Sequence, residues 1–192
     1  MNADQILAEI REANLSYLML AQSLIRADRE QALYRLGESE YSAGKHESAL
    51  ETFEKLLSSR PSSPDRSSAT LRKGELLYRL KRLDDAAPVL QTLTPKETPP
   101  DIRAGALYYL GKLAYDKSNF DAALNDFKAI VEEIPESRLV SFARYQLALV
   151  YLAKKDGENA AVQFSAVADS DADPKLKVEC GYRAAEAYDS IG

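Results

Sequence analysis

Side chains able to do chemistry are few in this chain, and their spacing excludes most reactions. There is one histidine, His46, and one cysteine, Cys180, far apart in sequence. That leaves no ligand set for zinc and no Ser-His pair with a local nucleophile signature. His46 reads as a solvated turn residue between helices, and Cys180 as a small packing residue of the last helix. Asp169, Asp171 and Asp173 have the spacing that opens a calcium loop. However, Pro174 stands where such a loop needs glycine, and Cys180 where it needs a bidentate glutamate. No glycine-rich phosphate loop occurs. The carboxylate pairs Glu132-Glu133 and Asp84-Asp85 fall at helix ends and read as solvated faces. The expectation is a non-enzyme with no cofactor and no metal.

The chemistry that is plentiful is recognition chemistry. Tyr34, Tyr108, Tyr145 and Tyr182 recur at multiples of 37 residues, with Leu71 filling the gap, and Tyr41, Tyr78 and Tyr115 recur seven residues further on. Residues seven apart share one side of a helix, so Tyr34/Tyr41 and Tyr108/Tyr115 form paired columns. Tyrosine offers apolar area and a hydroxyl at small entropic cost, which suits a binding surface. Stacked tyrosines also suit plain packing between repeats, and the spacing alone does not choose. Beside them stand Glu38, Glu75, Lys112 and Leu149, with Arg79 and Asp116 beyond. Glu186 and Asp189 join Glu38 and Glu75 as carboxylates near tyrosines, which predicts a partner segment of basic–aromatic or apolar character.

The elements that must carry these columns follow from the same period. Gly37, Gly74, Gly111, Ala148 and Ala185 lie on the grid, as do Ala49, Ala86, Ala123 and Ala160, and then Phe53, Leu90, Phe127 and Phe164. A period of this length marks a unit that buries its apolar face only by stacking on copies of itself. Antiparallel helices approach closely where side chains are small, and the large residue after each alanine fills the space beneath the next pair. Asp28, with Gln31 as a capping-box partner, predicts a helix start. Gly44 predicts its end, and Glu47 to Leu57 a second helix. The third copy predicts helices over Ala104–Asp116 and Phe120–Glu133. The fourth runs from Ser141 through Phe164 to Ala172, and a fifth begins at Val178. In the second copy Pro88 sits early in its helix, where a missing N–H is tolerated. The stretch Thr94 to Pro100 makes this copy the expected hinge or weak interface.

Leu36-Gly37, Ala49, Phe53 and Pro61 in the first copy, and Leu110-Gly111, Ala123, Phe127 and Pro135 in the third, resemble the tetratricopeptide repeat. Ile134-Pro135-Glu136-Ser137 before Tyr145 and Leu147 is similar to the bacterial envelope-associated subgroup typified by CpoB and BamD. The resemblance implies a concave groove for peptides, lined by Tyr34, Glu38, Tyr41, Leu71, Glu75, Tyr78, Tyr108, Lys112, Tyr115, Tyr145, Leu149 and Tyr182. The Lys/Arg/Asn clamp by which some members hold a terminal carboxylate has Tyr or Leu in its places here.

The N-terminal helix differs. Ile6, Ile10, Ala13, Tyr17, Leu20 and Leu24 alternate spacings of four and three, and Leu7, Leu18, Ala21 and Ile25 add a second stripe. A helix apolar on two faces must pack on the first repeat, on another chain, or on both. Residues 14–25 with Arg35-Leu36-Gly37 resemble the opening of the flagellar transcriptional regulator FlhD family. That resemblance implies homodimerisation through Ile6, Ile10, Tyr17, Leu20 and Leu24; a helix capping the repeat array is the other reading.

Composition agrees with an all-helical chain. Of 192 residues 45% are apolar, and Gly and Pro number eight each. Net charge is −5, which supplies no global basic field for nucleic acid or an anionic membrane. No signal peptide and no membrane span are visible, so a cytoplasmic location is expected, or a periplasmic one for a fragment of a secreted protein. The expected architecture is an all-α, right-handed α-solenoid of helix-turn-helix repeats behind an extra N-terminal helix. The helix occupies 1–28 and the array 29–192, with repeats at about 30–66, 67–103, 104–140 and 141–177 and a half repeat at 178–192. The expected function is a protein–protein interaction scaffold gripping a partner peptide or helix, with no direct nucleic-acid contact and no membrane insertion. The alternative is a regulator module that dimerises or recruits a DNA-binding partner through its N-terminal helix.

Overall fold

The computed structural model describes residues 3–58 and 65–189, and the side chains of residues 12, 14–19, 22–25 and those from 28 onward within this range. Among the described residues the chain is helix and turn without strand. Its elements are α1 (Ala3–Ser42), α2 (His46–Ser58), α3 (Arg66–Arg79), α4 (Leu83–Gln91), α5 (Pro100–Asp116), α6 (Phe120–Glu133), α7 (Val140–Ala153), α8 (Gly157–Ala168) and α9 (Pro174–Asp189). The all-α class is the one the period predicts. The chain forms two compact units, residues 1–69 and 70–192. Within the second unit, α4 packs on α5, α5 on α6, α6 on α7, α7 on α8 and α8 on α9, the succession of an α-solenoid.

The grid residues are the interior. Ala49, Ala86, Ala123 and Ala160 are fully buried, and so are Phe53, Leu90, Phe127 and Phe164. Each of these large side chains contributes about 1.5–3 kcal/mol by leaving water. The glycines opposite them admit the close approach. A β-carbon on Gly37 would lie 2.7 Å from the Phe53 ring, and one on Gly111 2.7 Å from the Phe127 ring. Gly74 meets Leu90 in the same way. In the fourth pair Ala148 takes the glycine's place in the same buried cluster as Phe164.

The turns repeat as closely as the core. Gly44, Lys81, Ser118 and Lys155 all have positive φ, between 58° and 74°, and fall at one grid position. At each, two backbone bonds close the helix end. Lys81 N–H reaches the Tyr78 carbonyl at 3.0 Å and Arg82 N–H the Leu77 carbonyl at 2.9 Å; Ser118 and Asn119 do the same to Tyr115 and Ala114. This is the Schellman arrangement, which satisfies carbonyls that have no partner within the helix. Asn119 and Asp156 then cap the following helices by accepting from Ala122 and Asn159 N–H.

Two local expectations are corrected. Asp28 does not start a helix: α1 runs unbroken through it to Ser42. The run from Ala3 to Ser42 holds no proline and no glycine but Gly37, so nothing interrupts helix propagation at Asp28. Pro88 is the sixth residue of α4, past the first turn, so a carbonyl inside the helix loses its donor. α4 is accordingly short, nine residues against fourteen for α6. Leu36, which carries the repeat resemblance together with Gly37, is half exposed, whereas Gly37 is buried. Pro61 lies outside the described residues. Pro99 and Pro100 open α5, where a missing N–H costs nothing.

Candidate functional site

The first tyrosine column leans on the core. Tyr108 sets its edge against the Phe127 ring at 5.9 Å between centroids and 65° between planes, and Tyr145 does so against Phe164 at 5.7 Å and 69°. In the first unit Tyr34 meets Phe53 at 5.9 Å and 66°. Edge-to-face geometry places the positive ring edge on the partner's negative face. These rings are therefore shoulders of the interior. Leu71, in the gap of this column, packs under Gly105, whose added β-carbon would lie 2.7 Å from Leu71 Cδ2. Leu149 is half-buried against the core of its unit. Tyr182 is 68% exposed.

The second column carries the polar network. Tyr78 Oη donates to Asp116 Oδ2 at 2.7 Å, joining α3 to the end of α5. Its ring lies 5.7 Å from that of Tyr109, which stands edge-on to Tyr108 at 5.6 Å. Lys112 Nζ sits 5.0 Å from the Tyr78 centroid and 5.8 Å from the Tyr108 centroid, and Lys81 Nζ 5.7 Å from Tyr78. An ammonium is attracted by the ring quadrupole at such distances. Tyr115 packs edge-on to Phe120 at 5.6 Å, and in the first unit Tyr41 faces the His46 ring at 5.9 Å. Glu38 is half-buried.

Two side chains change character once placed. Glu75 is only 4% exposed. Its carboxylate accepts from Arg72 Nη1 at 2.8 Å and from Arg79 Nε at 3.0 Å, so its charge is matched inside its own helix. A basic ligand would have to displace both guanidiniums, and the predicted basic–aromatic preference loses its support at this position. His46 opens α2, with Nδ1 buried and lacking a hydrogen-bond partner, so it is not the solvated turn residue expected.

Burial moves several of these groups toward their neutral forms. Lys112 is held below its ordinary range, chiefly by desolvation, with Asp116 opposing and Arg79 and Lys81 adding to the shift. Tyr78 is pushed up, first by burial and then by its bond to Asp116. Tyr108 is raised by burial. Tyr145 is raised by burial and by donating to Glu179 Oε1 at 2.8 Å. Cys180 is buried and its thiol pushed up to about 11, a packing residue as expected. Lys81, Arg72 and Tyr109 join this surface although the sequence reading left them out; the Tyr108-Tyr109 doublet was the available signal.

The N-terminal face is open where it is described. Tyr17 is 71% exposed and Leu24 58%, and Leu15, Leu18, Met19 and Ile25 are exposed as well. The side chains of Ile6, Ile10 and Leu20 lie outside the described residues.

A cavity of about 270 Å³, lined by Lys96, Thr98, Pro100, Arg103, Glu133 and Ile134, opens beside the irregular segment after α4. Arg103 Nε donates to the Thr94 carbonyl at 2.9 Å and Nη2 to Glu133 at 2.7 Å, which holds the segment against α6. Arg103 and Lys96 keep Glu133 well below the usual carboxylate range. Among the described residues no group of three or more His, Cys, Asp or Glu could hold a metal ion. None of the described helices is long and apolar enough to cross a membrane.

Known proteins match two overlapping parts of the chain. The family model of the flagellar transcriptional activator FlhD matches residues 1–49. The FlhD regulator of Acidovorax sp. (strain JS42) is 63% identical over 43 residues, covering 22% of this chain and 39% of that protein. That of Nitrosomonas eutropha is 65% identical over 37 residues, covering 19% and 35%. The chain thus spans little more than a third of these regulators. Among solved structures, MamA 41-end from Desulfovibrio magneticus RS-1 superposes with a TM-score of 0.60 at 27% identity, covering 72% of this chain and 73% of that one. YrrB, described as a TPR protein with an unusual peptide-binding site, superposes with a TM-score of 0.62 at 21% identity, covering 93% and 88%. The tetratricopeptide-repeat model matches residues 34–102 and 108–176, the greater part of the sequence. With the buried grid, the repeated turns and these matches in agreement, the chain belongs to the tetratricopeptide-repeat family.

Proposed function

We propose that this chain is a non-catalytic interaction scaffold that holds a partner peptide or helix on the tyrosine-bearing faces of α3, α5 and α7. The observation that carries the reading is the Tyr78–Lys112–Tyr108 arrangement. It sets two amphipathic rings and a half-buried cation on one surface, whereas a packing role requires only the rings. Tyr115, Tyr145, Leu149 and Tyr182 extend this face in the second unit, and Tyr34, Glu38 and Tyr41 hold the equivalent positions in the first. Affinity capture from a bacterial lysate tests it, comparing the intact chain with a Tyr78→Ser, Lys112→Ser variant of unchanged helicity. The expected result is loss of a specific prey in the variant. Retention of every prey would sink the reading.

A second reading is carried by the exposed apolar run from Leu15 to Ile25 together with the FlhD likeness of residues 1–49. In it, α1 pairs two copies of the chain or recruits a DNA-binding partner, and a cytoplasmic setting accords with likeness to a transcriptional activator. Sedimentation of the intact chain beside a Tyr17→Glu, Leu18→Glu variant tests the pairing. A dimer converted to monomer is expected, and a monomeric intact chain would remove self-pairing from consideration.

A further inference from the structure

Resting on the scaffold reading, we infer that the surface formed by α3 and α5 takes an acidic partner segment, one whose carboxylates reach Lys112 while its apolar side chains lie on Tyr78 and Tyr108. The charge distribution carries this. The chain as a whole has a net charge of −5. Yet Lys81 and Lys112 lie over the Tyr78 ring, and Arg72 and Arg79 stand on the same helix, against Glu75 and Asp116. Glu75 is buried and bonded by Arg72 and Arg79. Asp116 accepts the Tyr78 hydroxyl. Both local carboxylates are thus engaged within the fold, and the cations outnumber them.

Lys112 is the focus. Its ammonium rests over two rings and forms no ion pair among the described residues. Burial disfavours its charge first, Asp116 and Glu75 support it, and Arg79 and Lys81 oppose it. A half-buried cation without an ion-pair partner gains from an anion brought to it, because the pair forms where water screens it less. The flanking rings offer the apolar area that an isolated carboxylate cannot use. A basic segment meets the opposite balance, since Lys81 and Lys112 repel it.

The test uses the full chain and three short labelled peptides with the same Leu and Phe positions, spaced by Glu, by Lys or by Gln. Fluorescence anisotropy measures affinity, and amide and tyrosine chemical-shift changes locate the contact. The Glu peptide is expected to bind about tenfold or more tighter than the others, to shift Tyr78, Tyr108 and Lys112, and to weaken by about tenfold in Lys112→Glu. Lys112→Gln, which keeps the polar side chain, and Lys81→Glu, on an exposed one, keep the test open if the first variant loses its fold. Equal or tighter binding of the Lys or Gln peptide at these residues would overturn the acidic assignment and leave the scaffold reading standing. Absence of shifts at Tyr78, Tyr108 and Lys112 with every peptide would overturn the assignment, and the capture experiment above then decides the scaffold reading separately.

Discussion

Gly111 and Phe127 are in a contact that admits no further atom: a β-carbon on the glycine would stand 2.7 Å from two carbons of the buried ring. The same pair of positions holds Gly37 with Phe53 and Gly74 with Leu90. Ala148 with Phe164 is the variant in which the methyl is accommodated. The spacing between helices of a pair is therefore set by one residue in each copy.

Gly111→Ala should destabilise the second unit. Helix propensity alone favours the change by about 1 kcal/mol. Overpacking against a fully buried ring costs about 1–3 kcal/mol and prevails. Thermal unfolding followed by circular dichroism checks this, and a raised melting temperature would show that Phe127 can shift at no cost. Gly111→Ala combined with Phe127→Leu should recover part of the loss.

Ser118→Gly and Lys155→Gly should each stabilise the chain by roughly 1 kcal/mol, because the left-handed conformation that both residues hold costs a β-carbon about that much. Gly44 already occupies the equivalent turn. Chemical denaturation should show a higher midpoint with an unchanged slope. Gly44→Ala is the converse and should lower it.

Asp126 gives stability a pH dependence. Burial raises its carboxyl from the ordinary 3.8 to about 6. The folded chain therefore holds that proton more tightly than the unfolded one, and stability is lost as pH rises through the window from about 4 to about 6. Asp126→Asn removes this dependence. The variant should be more stable than the parent at pH 7, and the difference should vanish at pH 4; a constant difference across that range would rule out the carboxyl as its source.

Tyr145 combines a packing ring with a surface hydroxyl, and the two should separate by substitution. Tyr145→Phe keeps the edge contact with Phe164 and removes only the exposed bond to Glu179, so stability should change by less than about 1 kcal/mol. Tyr145→Ala removes the ring and should cost about 2 kcal/mol or more. Equal losses would mean that the hydroxyl, and not the ring, holds α7 to its neighbours. The same comparison at Tyr182, which is exposed, should show little effect in either case.

The residue types along the chain determined the interior and the order of the helices. A small residue facing a large apolar one is a steric statement that any copy of the fold must obey. Gly37, Ala49 and Phe53 therefore announced their roles at a fixed spacing, and α6 begins and ends at Phe120 and Glu133 as its pattern predicts. Only the tertiary structure decided what the surface groups do. Lys81, Ser118 and Lys155 take a glycine-like conformation because the helix-end hydrogen bonds demand it, although their side chains give no sign of it. Asp28 has the look of a cap, yet α1 continues because cooperative helix propagation outweighs one local alternative. The meaning of Glu75 reversed on folding: as a letter it is an acidic lining residue, and in place it is buried beneath two arginines. Polar partnerships depend on rotamers and on which helices meet, and neither is encoded in spacing along one helix.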